Sequence, residues 1–279
     1  MSNTDFTKSV FRGIGQVMLQ NNALTGLTFT VGLFCASWLA GVGALVGSII
    51  GTKVAELSGY DENEIKDGLY GFNGALVGVA LLFYFKINLV LLSVLVVAAA
   101  ISTLIMHTMR RHGYAPYTFP FVITTWISFL CIKTLNVVSP VFHSAVSFLN
   151  TTIFSGVSLG FSQVMLQASI ITGVLFFIGI LLNSGLSALY AVLGSLAGLF
   201  FGQMFFPTLF ADLSLGIFGF NGVLCGLAFT DKKWHSIFFA LLAVVLSVVI
   251  MRGFLALNII ALTAPFVLAT WATFALREV

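Results

Sequence analysis

Apolar residues in this chain run in long unbroken stretches, the clearest around 27–50, 88–107, 164–184 and 236–261. A run of about 20 apolar residues is long enough to cross the hydrocarbon of a bilayer as one helix. The stretches do not alternate apolar with polar positions, as the short strands of a membrane β-barrel would. Polar residues gather between them, most plainly in GYDENEIKDG at 59–68. From Thr134 to Thr230 there is no Lys or Arg, and Asp212 is the sole formal charge. The pattern predicts an all-α integral membrane protein with many spans.

The pattern is also written twice. LYGFNGALVG at 69–78 returns as IFGFNGVLCG at 217–226. IGQVMLQNNALTG at 14–26 returns as FSQVMLQASIITG at 161–173, and TFPFVITTW at 118–126 as TAPFVLATW at 263–271. Three blocks in the same order at nearly the same spacing indicate two homologous halves, 1–145 and 146–279. Duplicated halves are common in transporters, with the substrate path at their interface.

Segment counting within one half predicts two crossings between about 16 and 55, then the polar loop. The Phe-Asn-Gly turn and a short apolar run to about 84 follow, then a span over 88–107, then the TFPF region through about 119–155. The best fit is about five transmembrane helices plus one shorter, broken element per half. An odd number of crossings starts the second half on the opposite side, so the halves are expected to be inverted, with a pore at the repeat interface. With a cytoplasmic N-terminus, Lys8, Arg12, Lys53, Lys66, Arg110, Arg111, Lys232, Lys233 and Arg277 fall inside, against Lys86, Lys133 and Arg252 outside. That bias is the one the positive-inside rule favours. The basic clusters at 8/12, 53/66 and 110/111 have no basic counterparts in the second half, as inversion requires.

Composition narrows the chemistry. Of 279 residues 59% are hydrophobic and 8% charged, where a soluble domain carries roughly 25% charged residues. The N-terminal MSNTDFTKSVFRG lacks the apolar core and cleavage site of a secretory signal, so the first apolar stretch is expected to belong to the mature protein. Cys35, Cys131 and Cys225 lie far apart in apolar sequence, without disulfide or metal spacing. His107, His112, His143 and His235 show no ligand spacing and no repeat partner, and are expected to be solvated or interfacial. Glu64 and Asp212 correspond roughly by position, both in loop-like sequence. No ionisable residue repeats at a pore-like position inside a span, although pumps and ion channels usually place such groups along their path. No nucleophile has a base beside it. An enzyme is not expected.

The repeated blocks carry the remaining polar groups. Gly71 and Gly74, like Gly219 and Gly222, punctuate helices around an Asn able to cap a helix end. Broken helices at membrane depth are tolerated where they are buried in protein or line a wet cavity; the same glycines also suit a close helix–helix contact. Phe72 and Leu76, and again Phe220 and Leu224, are four apart and share a helix face. Pro120 and Pro265 are expected to break the chain again, with Thr118 and Thr263 two residues before them. Gln16 and Gln163, and four residues on Gln20 and Gln167, need hydrogen-bond partners in apolar surroundings, and either pair could be the one that lines a path. A narrow, uncharged path of aromatic rings, amides and hydroxyls suits a small, neutral, planar, polar solute. An ion would lose hydration there without compensation.

These blocks, QVMLQNNALTG, LYGFNGALVG, IFGFNGVLCG and LTAPFVLATW, resemble the urea transporter family over nearly the whole chain. The resemblance implies an inverted repeat of five spans plus one tilted, re-entrant half-helix per half. It implies a homotrimer with a separate urea pore in each protomer and passive, downhill conduction. Carried over by motif, it implies that Phe72, Leu76, Phe220 and Leu224 line the slot that holds urea flat. Gln16 and Gln163 would bind urea amides at the pore mouths, Val17 and Val164 would add to the slot walls, and Thr118 and Thr263 would form the central constriction. QASIITG in place of QNNALTG departs from this by removing a polar pair at one mouth. The resulting expectation is a bacterial-type urea channel, multi-pass in the inner (plasma) membrane, both termini cytoplasmic, with no cofactor, metal, catalytic residue or nucleic-acid partner. Chemistry alone leaves a channel for a short amide, or a non-transporting membrane scaffold or receptor, as alternatives.

Overall fold

The computed structural model describes residues 1–141, 152–207 and 216–277. The chain divides into two compact units, Met1–Ser144 and Ala145–Val279. Among the described residues both are helical and contain no strand. His143 and Asp212 lie outside the described residues.

The first unit contains α1 (Asn3–Gln16), α2 (Ala23–Ala36), α3 (Trp38–Leu57), α4 (Glu62–Lys66), α5 (Phe72–Tyr84), α6 (Leu89–Arg111) and α7 (Phe119–Leu135). The second contains α8 (Ile153–Gln163), α9 (Ile170–Asn183), α10 (Gly185–Phe205), α11 (Gly219–Ala228), α12 (Trp234–Ala256) and α13 (Ala264–Arg277). Four of these, α3, α6, α10 and α12, are long and apolar enough to cross a membrane. The others are shorter.

Local chemistry explains where the apolar runs divide. The run at 27–50 is two helices meeting at Ser37, whose extended backbone (φ −157°, ψ 124°) ends α2 while its hydroxyl accepts the Ala40 N–H of α3. Ser184 does the same between α9 and α10, accepting from Ser187 N at 3.1 Å. The run at 164–184 is likewise not one span: Leu166 enters the left-handed region (φ 59°), and α9 begins only at Ile170. The run at 236–261 ends as a helix at Ala256, before Asn258 turns left-handed (φ 53°). The polar stretch 59–68 holds α4, started by Asp61 accepting from Asn63 N and Glu64 N.

Within the first unit α5 lies along α3 on a stripe of glycines. A Cβ on Gly47 would collide with the Gly74 carbonyl, so the two backbones approach as only glycine permits. In the second unit Gly194 and Gly222 form the matching contact between α10 and α11. Gly74 and Gly222 therefore serve as contact glycines inside a helix. The Phe-Asn-Gly sequence starts each short helix and does not interrupt one.

Candidate functional site

The three repeated blocks meet inside each unit. In the first, α1 ends at Gln16 and the chain bends through Leu19, which is left-handed (φ 58°). An apolar, branched residue in that region is strained by about 1–3 kcal/mol. The Gln20 side chain steadies the bend by donating to the Met18 carbonyl at 2.8 Å. Leu166 (φ 59°) and a Gln167 bond to the Met165 carbonyl at 2.9 Å repeat the device in the second unit. Gln20 and Gln167 thus brace turns. Gln16, buried, donates to the Asp67 carbonyl at 3.0 Å and ties the end of α1 to the segment entering α5. Gln163 is half-buried at the end of α8. Asn22 caps α2 through Leu24 N and Thr25 N, and Ser169 caps α9 through Thr172 N. The change from QNNALTG to QASIITG therefore exchanges one helix cap for another.

Asn73 joins the second block to the third. It lies in the first turn of α5, yet it does not cap that helix, whose N-cap is Gly71. Its Oδ1 accepts the backbone N–H of Phe121 at 3.0 Å, and its Nδ2 faces the Tyr117 carbonyl at 3.4 Å and Met106 Sδ at 3.7 Å. Phe121 is the third residue of α7, where an N-cap side chain normally accepts. Pro120 before it has no N–H to offer. Thr118, the N-cap of α7, makes no cap bond to its own helix. Asn221 repeats the arrangement, accepting from Phe266 N at 3.1 Å with Nδ2 3.9 Å from Met251 Sδ. Pro120 and Pro265 thus sit in the first turns of α7 and α13, where a missing N–H costs little, and break neither helix. The residues before the two threonines, Tyr117 (φ 46°) and Leu262 (φ 49°), are both left-handed.

Val17, Phe72, Leu76 and Thr118 are all buried in the first unit, as are Val164, Phe220, Leu224 and Thr263 in the second. Asn73 places Phe72 on the element that holds the start of α7, next to Thr118. Two further residues match by repeat: Thr125 and Thr270 are fully buried; the Thr125 hydroxyl makes no hydrogen bond, and the Thr270 hydroxyl lies against the Cys225 thiol. They occupy equivalent places in TFPFVITTW and TAPFVLATW, so the repeat marks them as it marks the threonines before the prolines. The repeat marks Asn73 and Asn221 as well, but not what Asn73 does, because its partners are 33 to 48 residues away.

The charged residues lie elsewhere. Glu64 bonds Arg110, with Nε at 3.0 Å, and accepts from the Tyr70 hydroxyl. Burial pulls its carboxyl upward, but Arg110 and Tyr70 outweigh this and hold it below the ordinary value. His107 is half-buried and stacks on Tyr60 at 3.6 Å between ring centres, with Nδ1 3.1 Å from the Tyr70 hydroxyl. It is a packed residue rather than a solvated one. His112 is exposed and bonds the Thr108 carbonyl, and His235 is half-buried edge-on to Trp234 and Phe239. Cys35, Cys131 and Cys225 are free, and among the described residues no His, Cys, Asp or Glu cluster could hold a metal ion.

Apolar helices of spanning length, with neutral amides and hydroxyls buried among rings and aliphatic side chains, define a multi-pass membrane protein suited to neutral solutes. The family model described as urea transporter matches residues 7–278, and the chain belongs to the urea transporter family. It is a transporter and not an enzyme. The chain is 28% identical to urea transporter 1 of Mus musculus over 262 residues, covering 85% of this chain and 67% of that protein. Urea transporter 1 of Rattus norvegicus is similar to the same extent. Urea transporter 1 of Ovis aries is 25% identical over 264 residues, with 85% and 67% covered.

Proposed function

We propose that this chain carries urea passively down its gradient, through a narrow uncharged pore that its two halves, 1–145 and 146–279, build together as an inverted repeat. Family membership supports urea as the solute. The observation that carries the pore is the paired arrangement around Asn73 and Asn221. In both units one side chain ties the helix of Phe72 or Phe220 to the start of the helix preceded by Thr118 or Thr263. A duplicated device of this kind suits a two-sided slot.

Urea is planar, with four N–H donors and one acceptor. On this proposal Phe72, Leu76, Phe220 and Leu224, with Val17 and Val164, lie against its faces. Gln16 and Gln163 exchange amide bonds with it at the mouths. Thr118 and Thr263 replace part of its water shell at the waist. Each contact must be weak, because a solute that binds tightly does not leave. Each half would contribute five spans and one re-entrant half-helix, α5 or α11. The protein would act as a homotrimer in the inner membrane with both termini in the cytoplasm. The excess of Lys and Arg assigned to that side supports the orientation.

Stopped-flow light scattering on proteoliposomes tests this, comparing urea with formamide, acetamide, glycerol and ammonia. Fast, saturable urea flux without a proton gradient is the expected result. Faster flux of a short amide would reassign the solute, and flux no better than empty liposomes would overturn transport.

A further inference from the structure

We propose that the groove between α10 and α12 binds an anionic phospholipid, one acyl chain lying in the groove and the headgroup phosphate resting on Lys232 and Lys233.

The two helices run parallel. At one end the Tyr190 hydroxyl of α10 donates to the Asp231 carbonyl just before α12, at 2.8 Å, and at the other Arg252 of α12 lies over the Phe206 ring at the end of α10. Between them is a groove of about 360 Å³, with Leu193, Ala197 and Phe200 on one wall and Ile237, Leu241 and Val244 on the other. Tyr190 is the one polar side chain in its lining, and its hydroxyl is committed to Asp231. Leu193, Phe200, Ile237 and Leu241 are exposed. Such a groove at the side of a membrane protein accepts hydrocarbon.

The lysines define which lipid. Lys233, Ile237, Leu241 and Val244 follow one stripe at helical spacing, so Lys233 stands one turn beyond the groove wall. Lys232 adjoins it, and both are exposed. Among the described residues neither lysine has a carboxylate partner. The nearest acid, Asp231, is turned to its own segment: Oδ1 accepts from Lys232 N at 2.7 Å and Oδ2 from Ser236 Oγ at 3.4 Å. The N-cap of α12 makes no side-chain cap bond and the Asp231 carboxylate reaches Ser236 in the first turn, so the positive charge offered here is that of the two ammonium groups. Trp234, 82% exposed, marks the depth at which headgroups lie. A phosphate there meets two ammonium groups while its chain enters the groove. The chemistry favours phosphatidylglycerol over phosphatidylcholine.

Native mass spectrometry of the delipidated protein in detergent, titrated with each of these two lipids at matched chain length, tests the proposal. Phosphatidylglycerol is expected to bind more tightly. The double substitution Lys232→Gln, Lys233→Gln should weaken it roughly thirtyfold, the order expected for two lysines at an anionic headgroup, and weaken the zwitterionic phosphatidylcholine much less. Ala197→Phe, which fills the groove, should reduce binding of both. Elution as a single species and normal urea flux control for folding, since none of these residues belongs to the pore proposed above. Equal binding of the two lipids, or a titration that the lysine substitutions do not change, would overturn the site. So would a change in oligomeric state with Ala197→Phe and unaltered lipid binding, which would assign the groove to a second copy.

Discussion

Asn73 Oδ1 accepts the backbone N–H of Phe121 at 3.0 Å, so a residue in one helix performs the capping task of another. The substitution of Pro120 for a donor at the preceding position leaves Phe121 N as the group that needs this acceptor. Asn221 and Phe266 stand in the same relation at 3.1 Å. Removal of the acceptor leaves a buried N–H unpaired, which costs about 1–3 kcal/mol. Asn73→Ala and Asn221→Ala should each lower the melting temperature and slow urea flux. Asn73→Asp keeps an acceptor for Phe121 and should recover part of the stability. Melting curves and proteoliposome flux check both, and an unaltered melting temperature in Asn73→Ala would refute the clamp.

Thr118→Val and Thr263→Val keep shape and remove a hydroxyl. One hydrogen bond contributes about 0.5–1.5 kcal/mol, so urea flux should fall by roughly two- to tenfold in each. Flux equal to the parent at equal expression would remove that threonine from the path. The same change at Thr125 separates it from this role: its buried, unpartnered hydroxyl predicts stability equal to or above the parent's.

Gly47 and Gly185 make a contrasting pair. A Cβ at Gly47 would strike the Gly74 backbone, whereas one at Gly185 would meet nothing within 4 Å. Gly47→Ala should destabilise by about 1–3 kcal/mol or more, as overpacked sites do. Gly185→Ala, in the first turn of α10, should be neutral or stabilising by up to about 1 kcal/mol. Thermal denaturation in detergent distinguishes them.

Glu64 gives the first unit a dependence on acid. Its carboxyl is held below the usual value by Arg110 and Tyr70 against the upward pull of burial. A group with a depressed folded value contributes stability above its unfolded value, near 4.5, and loses it as pH falls through the folded value. The Arg110 side chain is 35% exposed and Glu64 28%, which limits the contribution to about 1 kcal/mol. Glu64→Gln should lower the melting temperature at neutral pH, and the gap from the parent should close in acid. A gap that persists once the folded protein's carboxyl is protonated would assign the effect to packing.

The sequence by itself determined the class of this protein. Continuous apolar runs, the scarcity of charge and three blocks repeated in order all survive without coordinates, because each is a property of neighbouring residues or of two stretches compared directly. The family was legible for the same reason. Element ends were less so: Ser37 divides a run that reads as continuous, and Pro120 starts a helix where it reads as a break. Which polar groups are committed was not legible at all. Gln16 and Gln20 look equivalent along the chain, but one reaches Asp67, 51 residues on, and the other curls back to Met18. Asn73 reads as a turn residue and acts as a clamp. In an apolar interior a polar group left unpaired is costly, and only the tertiary structure brings the partners within reach.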